Sequence, residues 1–293
     1  GKVEFDANGV YAQVIESTNY LAGLGGDDTI HAGDGNHFVF GGYGADNITT
    51  GNGNDVIFGD NGVITLNADG KVTKLDAFTD LATSGGDDVI LAGHGDKFVI
   101  GGIGGDDITV GNGNGILIGD NGKVEFDANG AYAQVIESTD YLAGLGGDDT
   151  IHAGNGNHYV IGGYGADSIT TGNGNDVILG DNGVITLNAN GKVISLDAST
   201  DIAISGGDDV IVSQHGDKFV IGGIGSDSIT VGDGNGILIG DKGKVVFDAD
   251  GVLAQVIEST GYFDNLGGDD TIHAGNGNHY VIGGYGADTI TLG

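Results

Sequence analysis

The sequence predicts an all-β repeat protein in which short strands stack in register and β-hairpins lie on one apolar sheet. Three observations predict it. A nine-residue unit, Gly-Gly-x-Gly-x-Asp-x-Φ-x with Φ an Ile, Val or Leu, occurs nineteen times, and Gly41–Thr49 (GGYGADNIT) is one copy. Its eighth position is aliphatic in every copy, from Ile30, Val39, Ile48 and Ile57 to Ile272, Val281 and Ile290. The units come in groups, and the stretches between groups read as hairpins. A β-branched strand after a glycine-rich turn, repeated without drift, stacks in register. Each strand is too short to hold a core alone and draws its burial from its neighbours. Helix is excluded, because no 3.6-residue period survives so many glycines.

Composition supports this reading. The 293 residues include 63 Gly and no Pro, Cys, Met or Trp. Glycine without a three-residue period excludes collagen, and 39% hydrophobic content argues against disorder. Forty-two acidic residues against nine lysines leave a formal charge of −33. Such a chain repels nucleic acid and anionic membranes, and it repels itself unless cations neutralise it. Without cysteine there are no disulfides, and bound metal is the usual substitute outside the cell. No apolar run approaches the length of a membrane span, and no signal peptide is present.

The largest period is 121 residues, since Tyr11–Thr18 recurs at Tyr132–Thr139. Within it lie half-repeats of 60 and 61 residues, each of four units and a spacer. The expected blocks of units are 23–58, 83–118, 144–179, 204–239 and 265–293, the last cut short. The spacers are 1–22 (truncated), 59–82, 119–143, 180–203 and 240–264. Opening and closing inside repeats, the chain reads as a window from a longer array.

Copies such as Gly41–Thr49, Thr50–Phe58 (TGNGNDVIF) and Gly162–Thr170 (GGYGADSIT) resemble the RTX, or haemolysin-type, calcium-binding nonapeptide repeat. The resemblance implies a right-handed parallel β-roll, a β-solenoid with two units per coil, and several calcium ions held between turns stacked on one edge. The residue chemistry agrees. Glycines let the backbone turn tightly and aim carbonyls inward, the sixth-position Asp adds a carboxylate, and calcium takes six to eight oxygens.

Two units per coil put odd and even units on opposite edges. One edge carries Asp28, Asp46, Asp88, Asp106, Asp149, Asp167, Asp209, Asp227, Asp270 and Asp288, all expected to hold calcium. The other reads His37, Asp55, Lys97, Gly115, His158, Asp176, Lys218, Gly236 and His279, so few or no ions are expected there, with Asp55 and Asp176 as further candidates. Asp60, Asp120, Asp181 and Asp241 fall where the metal edge should resume. They are either ligands or part of an Asn-Gly hairpin turn. Asp27, Asp87, Asp148, Asp208 and Asp269, at position five, are expected to be solvated. For Lys97 and Lys218 two readings stand, an ammonium in place of the ion or a solvated side chain. The histidines recur too far apart for zinc, which needs three or four converging ligands.

Positions seven and nine flank the core residue. They are polar or mixed in odd units, with Val89/Leu91 and Val210/Val212 as exceptions, and apolar in even ones, as in Phe38/Phe40, Val56/Phe58 and Ile116/Ile118. One sheet is therefore apolar on both faces, more than a soluble monomer exposes. The hairpins, for example Val63–Leu66 and Lys71–Leu75 around Asn67-Ala68-Asp69-Gly70, are expected to cover it, unless a neighbouring copy does. An EF-hand at Asp127 fails, because Ile136 occupies its closing position.

No P-loop, Gly-x-Ser-x-Gly or His-Glu-x-x-His motif is present. Acids that repeat every 60 residues describe a lattice, so a non-enzymatic role is expected. The main reading is a calcium-stabilised, extracellular structural segment of a large secreted bacterial surface, adhesin or filament protein, self-associating laterally or end to end. The alternative is a folding and secretion module of a type I secreted toxin or enzyme. A minor alternative is an ice-binding surface on the outward ladder of Asn52/Asn54, Asn112/Asn114 and Asn173/Asn175, which His94/Asp96 and His215/Asp217 are expected to interrupt.

Overall fold

The computed structural model describes residues 1–7, 9, 11–17, 25–77, 85–139, 145–198, 206–260 and 267–293. The ends of the expected spacers and the first one or two residues of each expected block, at 18–24, 78–84, 140–144, 199–205 and 261–266, lie outside these. The described residues form β-strands and turns arranged in three sheets.

Each nonapeptide contributes one strand, and successive strands alternate between two parallel sheets. Ten strands, from Thr29–His31 to Thr289–Leu292, make the outer sheet, and nine, from Phe38–Phe40 to His279–Ile282, make the middle one. Eighth-position residues stay in register across the spacers. Ile48 pairs with Ile90, Ile90 with Ile108 and Ile108 with Ile151. The third sheet is antiparallel and is built of the five hairpins alone. Adjacent hairpins join through Ile15 with Ile64, Leu75 with Val124, Ile136 with Ile185 and Leu196 with Val245.

The middle sheet is buried on both sides, as its apolar flanking positions require. Toward the outer sheet, Ile57, Val99 and Leu117 meet Ile48, Ile90 and Ile108 in a core of eighth-position residues. Toward the hairpins, Phe58, Ile100 and Ile118 meet Ile64, Leu75, Val124 and Ile136 in a second core. Phe40 stacks on Phe58 with ring centroids 5.0 Å apart. The expectation that hairpins cover the apolar sheet is borne out. Phe98, Tyr159 and Phe219, near the starts of their strands, are only partly buried, and Phe38 and Tyr280 on the two end strands are exposed.

The hairpin turns use local side-chain acceptors. Asn67 Oδ1 accepts the N–H groups of Asp69 and Lys71, each at 3.0 Å, and Gly70 adopts φ +71°. Asp127 and Asp248 do the same for Ala131 and Val252. Inward positions of the hairpin strands are mostly apolar, and outward positions carry ion pairs such as Lys123–Glu125 at 2.7 Å and Lys244–Asp197 at 2.5 Å.

Two coils add two strands to each parallel sheet, and one hairpin adds two strands to the third. At about 4.8 Å per strand, every layer advances by about 9.6 Å per half-repeat, so no layer outruns another. This coincidence of spacing sets the packing of the second core. Phe58→Ala, which empties a fully buried ring site, is expected to cost about 3–5 kcal/mol. Thr186→Ala, on the outward face of a hairpin strand, is expected to stay within about 0.5 kcal/mol. Urea unfolding of the two variants measures the difference.

Candidate metal centre along one edge

An uninterrupted turn on the aspartate edge is Gly41-Gly42-Tyr43-Gly44-Ala45-Asp46, between strands Phe38–Phe40 and Asn47–Thr50. Gly42 and Gly44 adopt φ +118° and +116°, a conformation that favours glycine. The next turn on this edge begins at Gly59-Asp60, and its later residues are Gly85-Gly86-Asp87-Asp88; the hairpin Gly62–Ala77 lies between. In later coils Gly163 pairs with Asp181 and Gly223 with Asp241. Asp60, Asp120, Asp181 and Asp241 thus take the second glycine's place, and each hairpin is an insertion inside a turn of this edge. The Asn-Gly pair is not the hairpin's turn, since Gly62 opens strand Gly62–Leu66.

The ten sixth-position aspartates stack in one column. Asp46 Oδ1 accepts the N–H of Asp28 at 2.7 Å, Asp88 Oδ1 that of Asp46 at 2.6 Å, and Asp106 Oδ1 that of Asp88 at 2.8 Å. The pattern continues to Asp288, which receives Asp270 at 3.1 Å. Each carboxylate from Asp46 onward therefore spends one oxygen on the backbone of the neighbouring rung. The second oxygen of Asp46, Asp88, Asp106, Asp167, Asp209, Asp227 and Asp270 is buried and carries no hydrogen bond.

Those second oxygens face the first glycine of a turn. A methyl carbon on Gly59 would lie 2.1 Å from Asp88 Oδ2 and 2.5 Å from the Gly101 carbonyl. At Gly101 the same oxygens come from Asp106 and Gly119, at 2.1 and 2.2 Å. Only glycine leaves room there, and the atoms that crowd it are hard oxygen donors. Among the described residues no three His, Asp or Glu side chains converge on one point. A cation on this edge would therefore be held by one or two carboxylates, completed by backbone carbonyls of the stacked turns. That donor set, all oxygen and partly backbone, fits calcium.

Electrostatics point the same way. Burial, opposed by the backbone N–H each carboxylate accepts and aided by neighbouring carboxylates, raises Asp46 to about 6 and Asp88 to about 7. Burial likewise raises Asp167 to about 7 and Asp227 to about 8. In Asp106 and Asp209 burial and adjacent carboxylates together push the carboxyl well above its usual range. Without a cation these buried carboxylates resist ionisation, and a cation would relieve both their burial and their mutual repulsion. Burial also places Asp60 and its equivalents on this edge, where Asp60 Oδ2 accepts the N–H of Ile103 at 2.7 Å. Asp120, Asp181 and Asp241 accept those of Tyr164, Ile224 and Tyr285.

The fifth-position aspartates are exposed, as expected, but they also carry structure. Asp27, Asp87 and Asp148 accept the N–H of Ala45, Gly105 and Ala166 on the next rung, at 3.1, 3.0 and 2.9 Å. The alternation of Asp with a small residue at position five is the signal that could have shown it.

On the opposite edge Asp55 Oδ1 accepts the N–H of His37 and lies 3.0 Å from His37 Nδ1, while Thr50 donates to Oδ2 at 2.9 Å. Lys97 stands 3.5 Å from Asp55 Oδ2. The same arrangement recurs at His158, Thr171, Asp176 and Lys218. Outside this edge, the asparagine ladder proves continuous. Asn52 Oδ1 accepts the N–H of His94, and His94 Nδ1 accepts that of Asn112 at 2.9 Å. Asp96 Oδ1 does the same for Asn114. Histidine and aspartate do not interrupt the ladder, because each presents an acceptor where asparagine has its amide oxygen.

Among known proteins, the family model described as RTX calcium-binding nonapeptide repeat (4 copies) matches residues 16–42, 38–63, 137–157, 159–184 and 264–293. No curated protein and no solved structure matches. The matches fall on the first, third and fifth groups of units. The two groups between them are those that carry Lys97 and Gly115, or Lys218 and Gly236, at the sixth position.

Two outcomes test the aspartate column. Asp106→Asn should raise the calcium concentration needed for strand formation roughly tenfold, for a loss of about 1–3 kcal/mol. Asp107→Asn, its exposed neighbour, should leave that midpoint unchanged; circular dichroism reads both. The pH dependence follows from the raised carboxyls. A folded value near 7 against 3.8 for the free group stabilises the metal-free fold fully below about pH 4, and that stabilisation is lost as pH rises through 7. Calcium competes with those protons, so its affinity should climb between about pH 6 and 8. Proton release on calcium binding, measured calorimetrically in two buffers, checks the sign.

Proposed function

The chain carries RTX calcium-binding nonapeptide repeats, and from that premise we propose that it is a calcium-stabilised structural segment of a large secreted or cell-surface bacterial protein, an adhesin or filament. The observation that carries the proposal is the unbroken column of sixth-position aspartates facing glycine turns, eight of them buried, with Asp28, Asp46, Asp88, Asp106, Asp149, Asp167, Asp209, Asp227, Asp270 and Asp288 as calcium ligands. Asp60, Asp120, Asp181 and Asp241 act at the turns where hairpins are inserted, fixing the third residue of the following turn.

Coupling of metal binding to folding supplies the mechanism. At low calcium the acidic turns repel one another and the chain stays extended. At the millimolar calcium of extracellular fluid the turns close and the strands stack. A three-layer rod whose unit repeats every 121 residues suits reach and stiffness. Self-association falls to the outer sheet, where Val89, Leu91, Val210 and Val212 are exposed, because the hairpins already occupy the apolar face of the middle sheet.

A folding and secretion module beside a toxin or enzyme would share the calcium response. The covered second core favours the structural reading, since it makes every half-repeat self-sufficient along the rod. Circular dichroism and small-angle scattering with calcium and with chelator test the proposal. The expected result is a compact rod rich in strand that expands on chelation. An unchanged spectrum and radius in chelator would sink it.

A further inference from the structure

Lys97 is buried to 1% exposure, although lysine is among the residues least often found inside proteins. Its ammonium donates to the carbonyl of Gly53 and, at 3.1 Å, to that of His94, and it lies 3.5 Å from Asp55 Oδ2. These partners are two turn carbonyls and one sixth-position carboxylate from stacked turns. That is the type of donor set the opposite edge presents to a metal. The turns are alike too: Gly53 and Gly95 adopt φ +148° and +120°. Lys218 repeats the geometry, with the carbonyl of Gly174 and with Asp176 Oδ2 at 3.4 Å.

We propose that positions 97 and 218 are cation sites filled by the chain itself, in which the lysine ammonium takes the place a calcium ion would have. A buried charge is tolerated only when paired and hydrogen-bonded, and each lysine here is both. Asp55 and Asp176 are then counter-ions of lysine, with His37 or His158 and a hydroxyl holding their remaining lone pairs. This edge is fastened without metal, while its opposite depends on it. The loss of aspartate at 97 and 218 is thus a substitution of one cation for another, and it occurs in the two groups of units that the family model leaves unmatched.

Two variants of the full chain test the proposal. Lys97→Met keeps the bulk and removes the charge. It should lower the melting temperature by the same amount at every calcium concentration that supports folding, with no change in calcium bound. Lys97→Asp restores the residue found at the sixth position of the other edge. It should melt below wild type at the lowest calcium concentration that supports folding, recover in millimolar calcium, and bind about one more calcium per chain by equilibrium dialysis. Lys97→Met melting with the wild type would overturn the proposal. So would Lys97→Asp binding no additional calcium, or remaining as unstable in calcium as Lys97→Met. If the calcium reading itself were at fault, the wild type would fail to respond to calcium, which these comparisons detect separately.

Discussion

The distance from one hydrogen-bonded strand to the next governs this molecule. Every layer climbs in steps of that one length, about 4.8 Å, and anything added to the roll must climb with it. A hairpin is two strands wide, so it can be inserted only once for every two coils. One coil per hairpin would crowd the third sheet, and three would leave a strip of the middle sheet bare. The four-unit group between spacers follows from this matching of widths. So does the register that carries Ile48, Ile90, Ile108 and Ile151 in one line past two insertions.

The same spacing creates an electrostatic problem, because any residue repeated at one position becomes a column. Sixth-position carboxylates stacked at a single-strand interval repel one another, and burial removes the water that would soften the repulsion. The two edges meet this differently. One keeps a carboxylate on every rung and turns its spare oxygens toward glycine turns, in a donor set suited to a hard cation. The other breaks the column with His37, Lys97 and Gly115, so that Asp55 is compensated by side chains of its own chain. A single repeat therefore serves both edges, with the difference carried by one position.

Much of this was legible in the sequence, and the reasons are local. Ile30 to Ile290 mark the first core because one position is read repeatedly through a nine-residue period. Phe58 and Ile118 mark the second because the flanking positions are apolar in every even unit. Asn67 and Gly70 announce a hairpin by their own turn chemistry. What stayed hidden lies between rungs. Asp60 reads as the start of a spacer, and only its pairing level with a turn glycine shows that the hairpin interrupts a turn. Lys97 reads as a defect until Asp55 and the Gly53 carbonyl, remote in sequence, are brought beside it. His94 reads as an interruption of the asparagine ladder, because residue names differ where acceptor positions do not.

The aspartate column also has a property that belongs to no single turn. With a sixth-position carboxylate on every rung and a fifth-position one, such as Asp87 or Asp148, on every second, the edge carries a fixed charge about every 3 Å. A strand of duplex DNA carries one per 3.4 Å. A line of charge that dense gathers a sheath of counter-ions along its length, whatever the affinity of any one position. Divalent ions entering the sheath release monovalent ones, so the edge acts as a linear polyelectrolyte whose loading depends on the ratio of calcium to sodium in the medium. The rod thereby senses the ionic character of its surroundings along its whole length, and it does so before any individual ion has settled into a coordination shell.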